Sequence, residues 1–156
     1  MTGKTVSYSQ AVMSNLMLPQ HANPSGNVHG GEIMKLMDSA AGVVAFRHAR
    51  SNVVTARVDK LEFHYPIHIG DVVTCYGKLT FVGRSSMEVS VTVTVEDVTK
   101  EEPAKTALTS FFTFVALDEN GKPQQVPPLE LSNEEERCLF EEGRKRYLAY
   151  KQLGKK

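Results

Sequence analysis

Within NPSGNVHGGEIMKLMD, residues 23–38, an amide side chain (Asn23), a glycine pair (Gly30 and Gly31) and a carboxylate (Asp38) share one short stretch. Residues of these types can act together on a carbonyl. The first turn of a helix leaves its amide N–H groups without intrahelical partners, and glycine lets a ligand oxygen come close to them. Such donors hold a developing oxyanion, and one carboxylate nearby can activate water or attack directly. Asp38 stands 38 − 31 = 7 residues beyond Gly31, roughly 10 Å along a helix axis at ~1.5 Å per residue. A carbonyl serving both groups must therefore lie alongside the helix rather than over its tip.

Each residue also has an ordinary use. The glycines can simply make the turn, and Asn23 before Pro24 suits an Asx turn. Asp38 falls at the margin of an apolar stripe, where a side chain can lean into water; if it is instead partly buried, desolvation raises its pKa toward the range of a general base. Gly83-Arg84-Ser85-Ser86 offers a cation and hydroxyls to a phosphate, or is a solvated hairpin turn. Arg144-Lys145-Arg146 reads as a solvated helix face.

These groups need elements to position them. Ile33, Leu36, Met37, Ala40, Ala41 and Val44 recur at helical spacing, and Arg47-His48 suits the negative end of the dipole, so a helix is expected from about Gly31 to Ala49. Residues 6–17 read as a strand. Four more are expected at 52–65, 72–82, 86–98 and 107–117, with a bulge at Asp59-Lys60 in the first, where the apolar set Val54, Ala56 and Val58 changes phase to Leu61, Phe63 and Tyr65. Met87, Val89, Val91, Val93 and Val95 share one parity, as in a hairpin with one solvated face, whereas Phe111, Phe112 and Phe114 occupy both parities, as in a central strand covered on both sides. A charged helix capped by Ser132 or Asn133 closes the chain, its lysine-rich end frayed. The order points to an α+β protein with an antiparallel sheet: a main domain over 1–131, then a helix and tail over 132–156. One helix covers one face of the sheet, so a second subunit is expected on the other.

Composition closes off several classes. Lys+Arg and Asp+Glu both number 18, which gives no global field for nucleic acid or an anionic membrane. The two cysteines, Cys75 and Cys138, form neither a zinc spacing nor a disulfide framework, and no apolar run approaches the ~18 residues of a membrane span, so a cytoplasmic setting is expected. His29 could face a ligand, but no second ligand lies at metal spacing, and neither a P-loop nor a Gly-x-Ser-x-Gly elbow is present. No metal or organic cofactor is expected.

NPSGNVHGGEIMKLMDSAAGVVAFRH, NVVTARVDKLEFHYPIHIGDVV, GRSSMEVSVTV, SFFTFVALDENGKP and FEEGRKRYLAYK, in this order, resemble the hotdog-fold acyl-CoA thioesterases, specifically the cytosolic acyl-CoA hydrolases and their single-domain bacterial relatives. The resemblance spans nearly the whole chain. It implies a curved antiparallel five-stranded sheet wrapped around the central helix, dimers whose sheets continue each other, and often a trimer of dimers. It further implies Asp38 as the catalytic carboxylate and Asn23 assisting from the partner subunit. Gly31, with Gly30, presents an amide to the thioester carbonyl; coenzyme A contacts map to Val54, Thr55, Arg84, Ser85 and Ser86. Coenzyme A enters as part of the substrate. Other chemistries for such a chain are a non-catalytic acyl-CoA sensor, which needs no helix carboxylate, and an enoyl-thioester hydratase, for which His29 is the only histidine near the loop.

Overall fold

The computed structural model describes residues 1–154. In chain order they form β1 (Lys4–Thr5), α1 (Val6–Ser9), β2 (Ala11–Leu16), α2 (Gly30–Ala49), β3 (Asn52–Asp59), β4 (Val72–Val82), β5 (Ser86–Glu96), β6 (Lys105–Leu117), β7 (Leu129–Glu130) and α3 (Glu134–Gly154). A single 3-10 turn, Pro19–His21, leads into the loop before α2. The main sheet is antiparallel, in the order β2-β4-β5-β6-β3, while β1 and β7 pair in parallel beside it.

Helix α2 lies against one face of this sheet. Ile33, Met37, Ala40, Ala41, Val44, Ala45 and His48 are buried and form its inner stripe. They meet Val73, Cys75 and Leu79 of β4, Met87, Val89, Val91 and Val93 of β5, and Phe112, Phe114 and Ala116 of β6 in one apolar core. Gly77 permits the closest approach: a Cβ there would lie 3.1 Å from Val44 Cγ2 and 3.5 Å from the Ala40 carbonyl oxygen. Arg50 ends the helix in the left-handed region at φ 52°, its amide donating to the Phe46 carbonyl.

The expected strand over 6–17 is divided. Thr5 Oγ1 accepts from the Tyr8 amide and starts a four-residue helix, so only Ala11–Leu16 is extended. The strand after α2 also differs. Its bulge lies between Thr55 and Arg57 rather than at Asp59-Lys60, and the left-handed Lys60, φ 59°, ends it altogether. Val53 is the buried residue at its start, while Val54 is 43% exposed, which reverses the parity expected from Val54, Ala56 and Val58. Strand β6 lies inside the sheet, as both parities of phenylalanine require, although β5 is the middle strand.

Helix α3 covers part of the face opposite α2, so the β4–β5 hairpin is not solvated along its whole outer side. Asn133 Oδ1 accepts from the Glu136 amide and caps the helix; the tail residues beyond 154, where fraying was expected, lie outside the described residues. Phe81 packs against Phe140 and Tyr147. Arg146, expected on a solvated face, instead donates from Nε and Nη2 to the buried Glu88 carboxylate at 2.9 and 2.7 Å and sits 3.8 Å above the Phe111 ring. Thr80 Oγ1 donates to the same carboxylate at 2.7 Å. Tyr150 donates to Asp59 Oδ2 at 2.6 Å beneath the Arg57 guanidinium, and burial together with that bond pushes its phenol up to about 12.

His48 ties the helix end to the chain after β6. Its Nε2 donates to the Pro127 carbonyl at 2.7 Å, and its own carbonyl accepts from Lys4 Nζ at 2.7 Å. Burial holds its pKa below the ordinary histidine value; the Pro127 acceptor pulls it back up, and the Lys4 charge lowers it further. Below about pH 6.5 the unfolded chain therefore binds a proton that folded His48 resists, and stability falls as pH drops through that value. Thermal unfolding followed by circular dichroism should give a lower Tm near pH 5.5 than near pH 7.5. His48→Gln retains an N–H donor for Pro127 without a titrating group and should lose less Tm over that interval; equal losses would acquit His48.

Candidate active site

Asp38 projects from α2 beside β3, and Thr55 Oγ1 donates to its Oδ1 at 2.7 Å. The strand register explains the meeting. Thr55 lies opposite Phe114, which is buried against α2, so its side chain points to the helix face of the sheet. The bulge at Ala56 then turns Arg57 to the outer face, where it stacks on Tyr150 at 3.2 Å. Asp38 is exposed in the single chain rather than partly buried at the margin of the stripe.

Asn23 is half-buried in the loop before α2. Its Oδ1 accepts from the Ser25 and Asn27 amides at 3.0 and 3.2 Å, an Asx turn of the ordinary kind. The loop is pinned further by Val28 N–H to the Ile67 carbonyl and His29 N–H to the His21 carbonyl. Among the described residues no partner engages Asn23 Nδ2, which leaves its two N–H groups as fixed, uncharged donors.

The helix start differs from the expectation for the glycine pair. His29 is the N-cap: its Nδ1 accepts from the Gly31 amide at 3.1 Å, and its carbonyl accepts from the Glu32 amide at 2.9 Å. Gly31 N–H is thus occupied by the protein itself, and Gly30 N–H is the amide with no partner among the described residues. Gly30 and Asn23 line one cavity of about 230 Å³; Asp38 does not line it. The sequence presented His29 as a possible ligand, and its capping role depends on a backbone angle that only the fold sets.

The five residues considered for coenzyme A are divided between the faces. Val54 and Ser86 both align with Val115, so they share one row across three strands on the face away from α2, roughly 10 Å apart at ~4.8 Å per strand. Thr55 points the other way. In the hairpin, the carbonyls of Arg84, Ser85 and Ser86 accept from the amides of Val126, Ala116 and Gly83, which fixes the turn and leaves the exposed Arg84 side chain without an ion pair among the described residues. No metal-holding group of His, Cys, Asp and Glu occurs among the described residues, and no helix there is long and apolar enough to cross a membrane. Cys75 is buried and Cys138 exposed, both as free thiols.

The family model of the thioesterase superfamily matches residues 25–102, the stretch that carries α2, β3 and the β4–β5 hairpin. The chain belongs to the thioesterase superfamily. It is 45% identical over 148 residues to the cytosolic acyl coenzyme A thioester hydrolase of Mus musculus, covering 94% of this chain and 39% of that one, so it spans about two fifths of the length of that relative. Among solved structures, an apo-hexameric acyl-CoA thioesterase superposes with a TM-score of 0.91 at 34% identity, covering 99% of both chains. The acyl-CoA hydrolase of Staphylococcus aureus, solved with butyryl coenzyme A, coenzyme A and coenzyme A disulfide, superposes with a TM-score of 0.86 at 33% identity over 96% of this chain and 90% of that one. Variants of that hydrolase with alanine in place of an Asp, an Asn or a Thr have also been solved. The five-stranded antiparallel sheet around a long helix, with a C-terminal helix, is the hotdog fold of this superfamily.

His29 offers a test of the helix start that needs no substrate. Losing the side-chain acceptor should cost about 0.5–2 kcal/mol, the usual range for an N-cap. Urea titration of His29→Ala should show that loss as a lower midpoint with unchanged slope, and His29→Asn should recover most of it.

Proposed function

We propose that this protein hydrolyses acyl-CoA thioesters to a free carboxylic acid and coenzyme A, with Asp38 as the general base or nucleophile. The observation that carries the reading is the Thr55–Asp38 hydrogen bond, which fixes one carboxylate oxygen and leaves the other free beside the edge of the sheet. The similarity to the Staphylococcus aureus hydrolase supports it. The Asn, Asp and Thr replaced there differ in position by 43 − 28 = 15 and 60 − 43 = 17, and Asn23, Asp38 and Thr55 differ by 38 − 23 = 15 and 55 − 38 = 17.

In this reading Asn23 Nδ2 and the Gly30 amide donate to the thioester carbonyl oxygen and hold the charge that develops on it. Asp38 takes a proton from water as the water oxygen bonds to the carbonyl carbon, or attacks that carbon itself to give an anhydride that water then opens. The C–S bond breaks, and the coenzyme A thiolate leaves and is protonated. Val54, Thr55, Arg84, Ser85 and Ser86 contribute to holding coenzyme A, with Gly31 supporting the helix start through His29.

The site is completed by a second copy of the chain. Asp38 does not line the cavity of Asn23 and Gly30, and beside it β3 presents an unpaired strand edge with Val54 and Val58 exposed. Pairing two β3 edges about a two-fold axis makes a continuous sheet with two equivalent sites, each with Asn23 of one subunit and Asp38 of the other. Three such dimers make a hexamer, in keeping with the hexameric relative, and a cytoplasmic setting is in keeping with the cytosolic one.

Three outcomes are expected. Asp38→Asn, nearly isosteric, should fold and assemble normally but lose at least about a hundredfold in kcat toward butyryl-CoA, measured by thiol release. Arg84→Ala should raise KM more than it lowers kcat, as loss of uniform binding does. Inactive Asn23→Ala and Asp38→Ala proteins, dissociated, mixed and reassociated, should regain about one quarter of wild-type activity, because about half of randomly paired dimers are mixed and each mixed dimer has one intact site of two. Verified mixed dimers without activity would place both residues in one chain's site.

A further inference from the structure

The loop after β3 leaves two aromatic rings at the surface beside the residues assigned to the carbonyl. Phe63 is 45% and Tyr65 53% exposed, and both line the cavity of Asn23 and Gly30, whose remaining apolar lining includes the buried Val28 and Ile33. The buried side chains make its floor and the exposed rings its rim. The Phe63 ring stands over the helix start: a Cβ on Gly30 would meet its Cζ at 3.7 Å and its Cε2 at 3.8 Å. The segment that carries it is outside the sheet ladder and is tied back by His64 N–H to the Ala107 carbonyl at 3.3 Å. Neither ring is needed for the core, and large exposed aromatics gathered at a cavity mouth mark a place where apolar matter is bound.

We infer that this cavity receives the acyl chain of the thioester and that Phe63 sets the chain length the enzyme accepts. The inference rests on the hydrolase reading above. A carbonyl oxygen held by Asn23 Nδ2 and Gly30 N–H puts the acyl Cα at the cavity mouth, while the pantetheine arm, the polar half of the substrate, leaves in the other direction. Only the acyl half gains from leaving water for a floor of Val28 and Ile33. The cavity is small, about 230 Å³, with its apolar floor on one side and the two rings at its mouth. A short acyl chain can lie against the floor; a longer chain must displace the Phe63 ring or pass across it.

Phe63 is half exposed, so exchanging it leaves the core intact, and two exchanges of opposite sense separate a length gauge from a general contact. Values of kcat/KM are measured for acetyl-, butyryl-, octanoyl- and palmitoyl-CoA on the wild-type oligomer, on Phe63→Ala and on Phe63→Trp, with oligomeric state followed by light scattering. Phe63→Ala should raise the palmitoyl-to-butyryl ratio by about tenfold or more, and Phe63→Trp should lower the octanoyl-to-butyryl ratio by a similar factor, the scale on which a hydrophobic pocket discriminates methylenes. Profiles that stay parallel to wild type, whether the rates fall or not, overturn the inference; a parallel fall with dissociation assigns the rings to a subunit contact. Hydrolysis of none of the four substrates by the wild-type protein overturns the hydrolase reading itself.

Discussion

Close approach between α2 and β4 is the constraint on which the rest of the structure depends. Ala40 and Val44 face Gly77, where a Cβ would lie 3.1 Å from Val44 Cγ2, and the helix backbone settles onto the sheet because both sides are small at that point. A methyl group there would press on the Val44 side chain, which would have to give by a few tenths of an ångström in a packed core. Strand β6, beyond β5 in the sheet, carries the larger Phe112 and Phe114 and fills the core to one side of this contact. With the helix so placed, its margin at Asp38 necessarily meets the edge strand β3.

That edge strand serves two faces at once. Thr55 reaches inward to Asp38, and two positions later Arg57 lies on the outer face under the control of α3, a change of side made possible by the bulge at Ala56. Helix α3 is held by a buried ion pair, Arg146 with Glu88, whose second contact from Thr80 satisfies the carboxylate further. Removing one partner of such a pair leaves an uncompensated buried charge, commonly a loss of about 3–5 kcal/mol. The outer helix therefore bears on the strand that carries the candidate site, although it touches none of the reacting groups.

The electrostatics of the site are sparing. In the proposed site one carboxylate, a neutral amide and a backbone N–H would serve the same reaction, with no buried cation beside them among the described residues. A neutral donor set suits a site whose charge appears only as the carbonyl is attacked, because fixed dipoles then stabilise the oxyanion without holding the ground state more tightly. The exposure of Asp38 in a single chain fits the same economy, since in the proposed dimer a second β3 edge would supply the apolar cover that this chain lacks.

The sequence by itself determined the elements and the chemistry available to them. The apolar period of α2, the single-parity valines of β5 and the two-parity phenylalanines of β6 are local patterns, and local patterns survive without knowledge of partners. The stretch from Asn23 to Asp38 likewise announced its amide, glycines and carboxylate. What only the tertiary structure decided were matters of register and neighbour. Whether Val53 or Val54 faces the core turns on where one extra residue is accommodated, and that depends on the fit of β3 against β6 and α3 rather than on β3 alone. His29 became a cap because of one backbone angle, Arg146 left the solvent because Glu88 faces α3 from β5, and Thr55 met Asp38 because α2 packs beside β3. Each of these depends on contacts between residues distant in the chain, which composition and spacing do not encode one segment at a time.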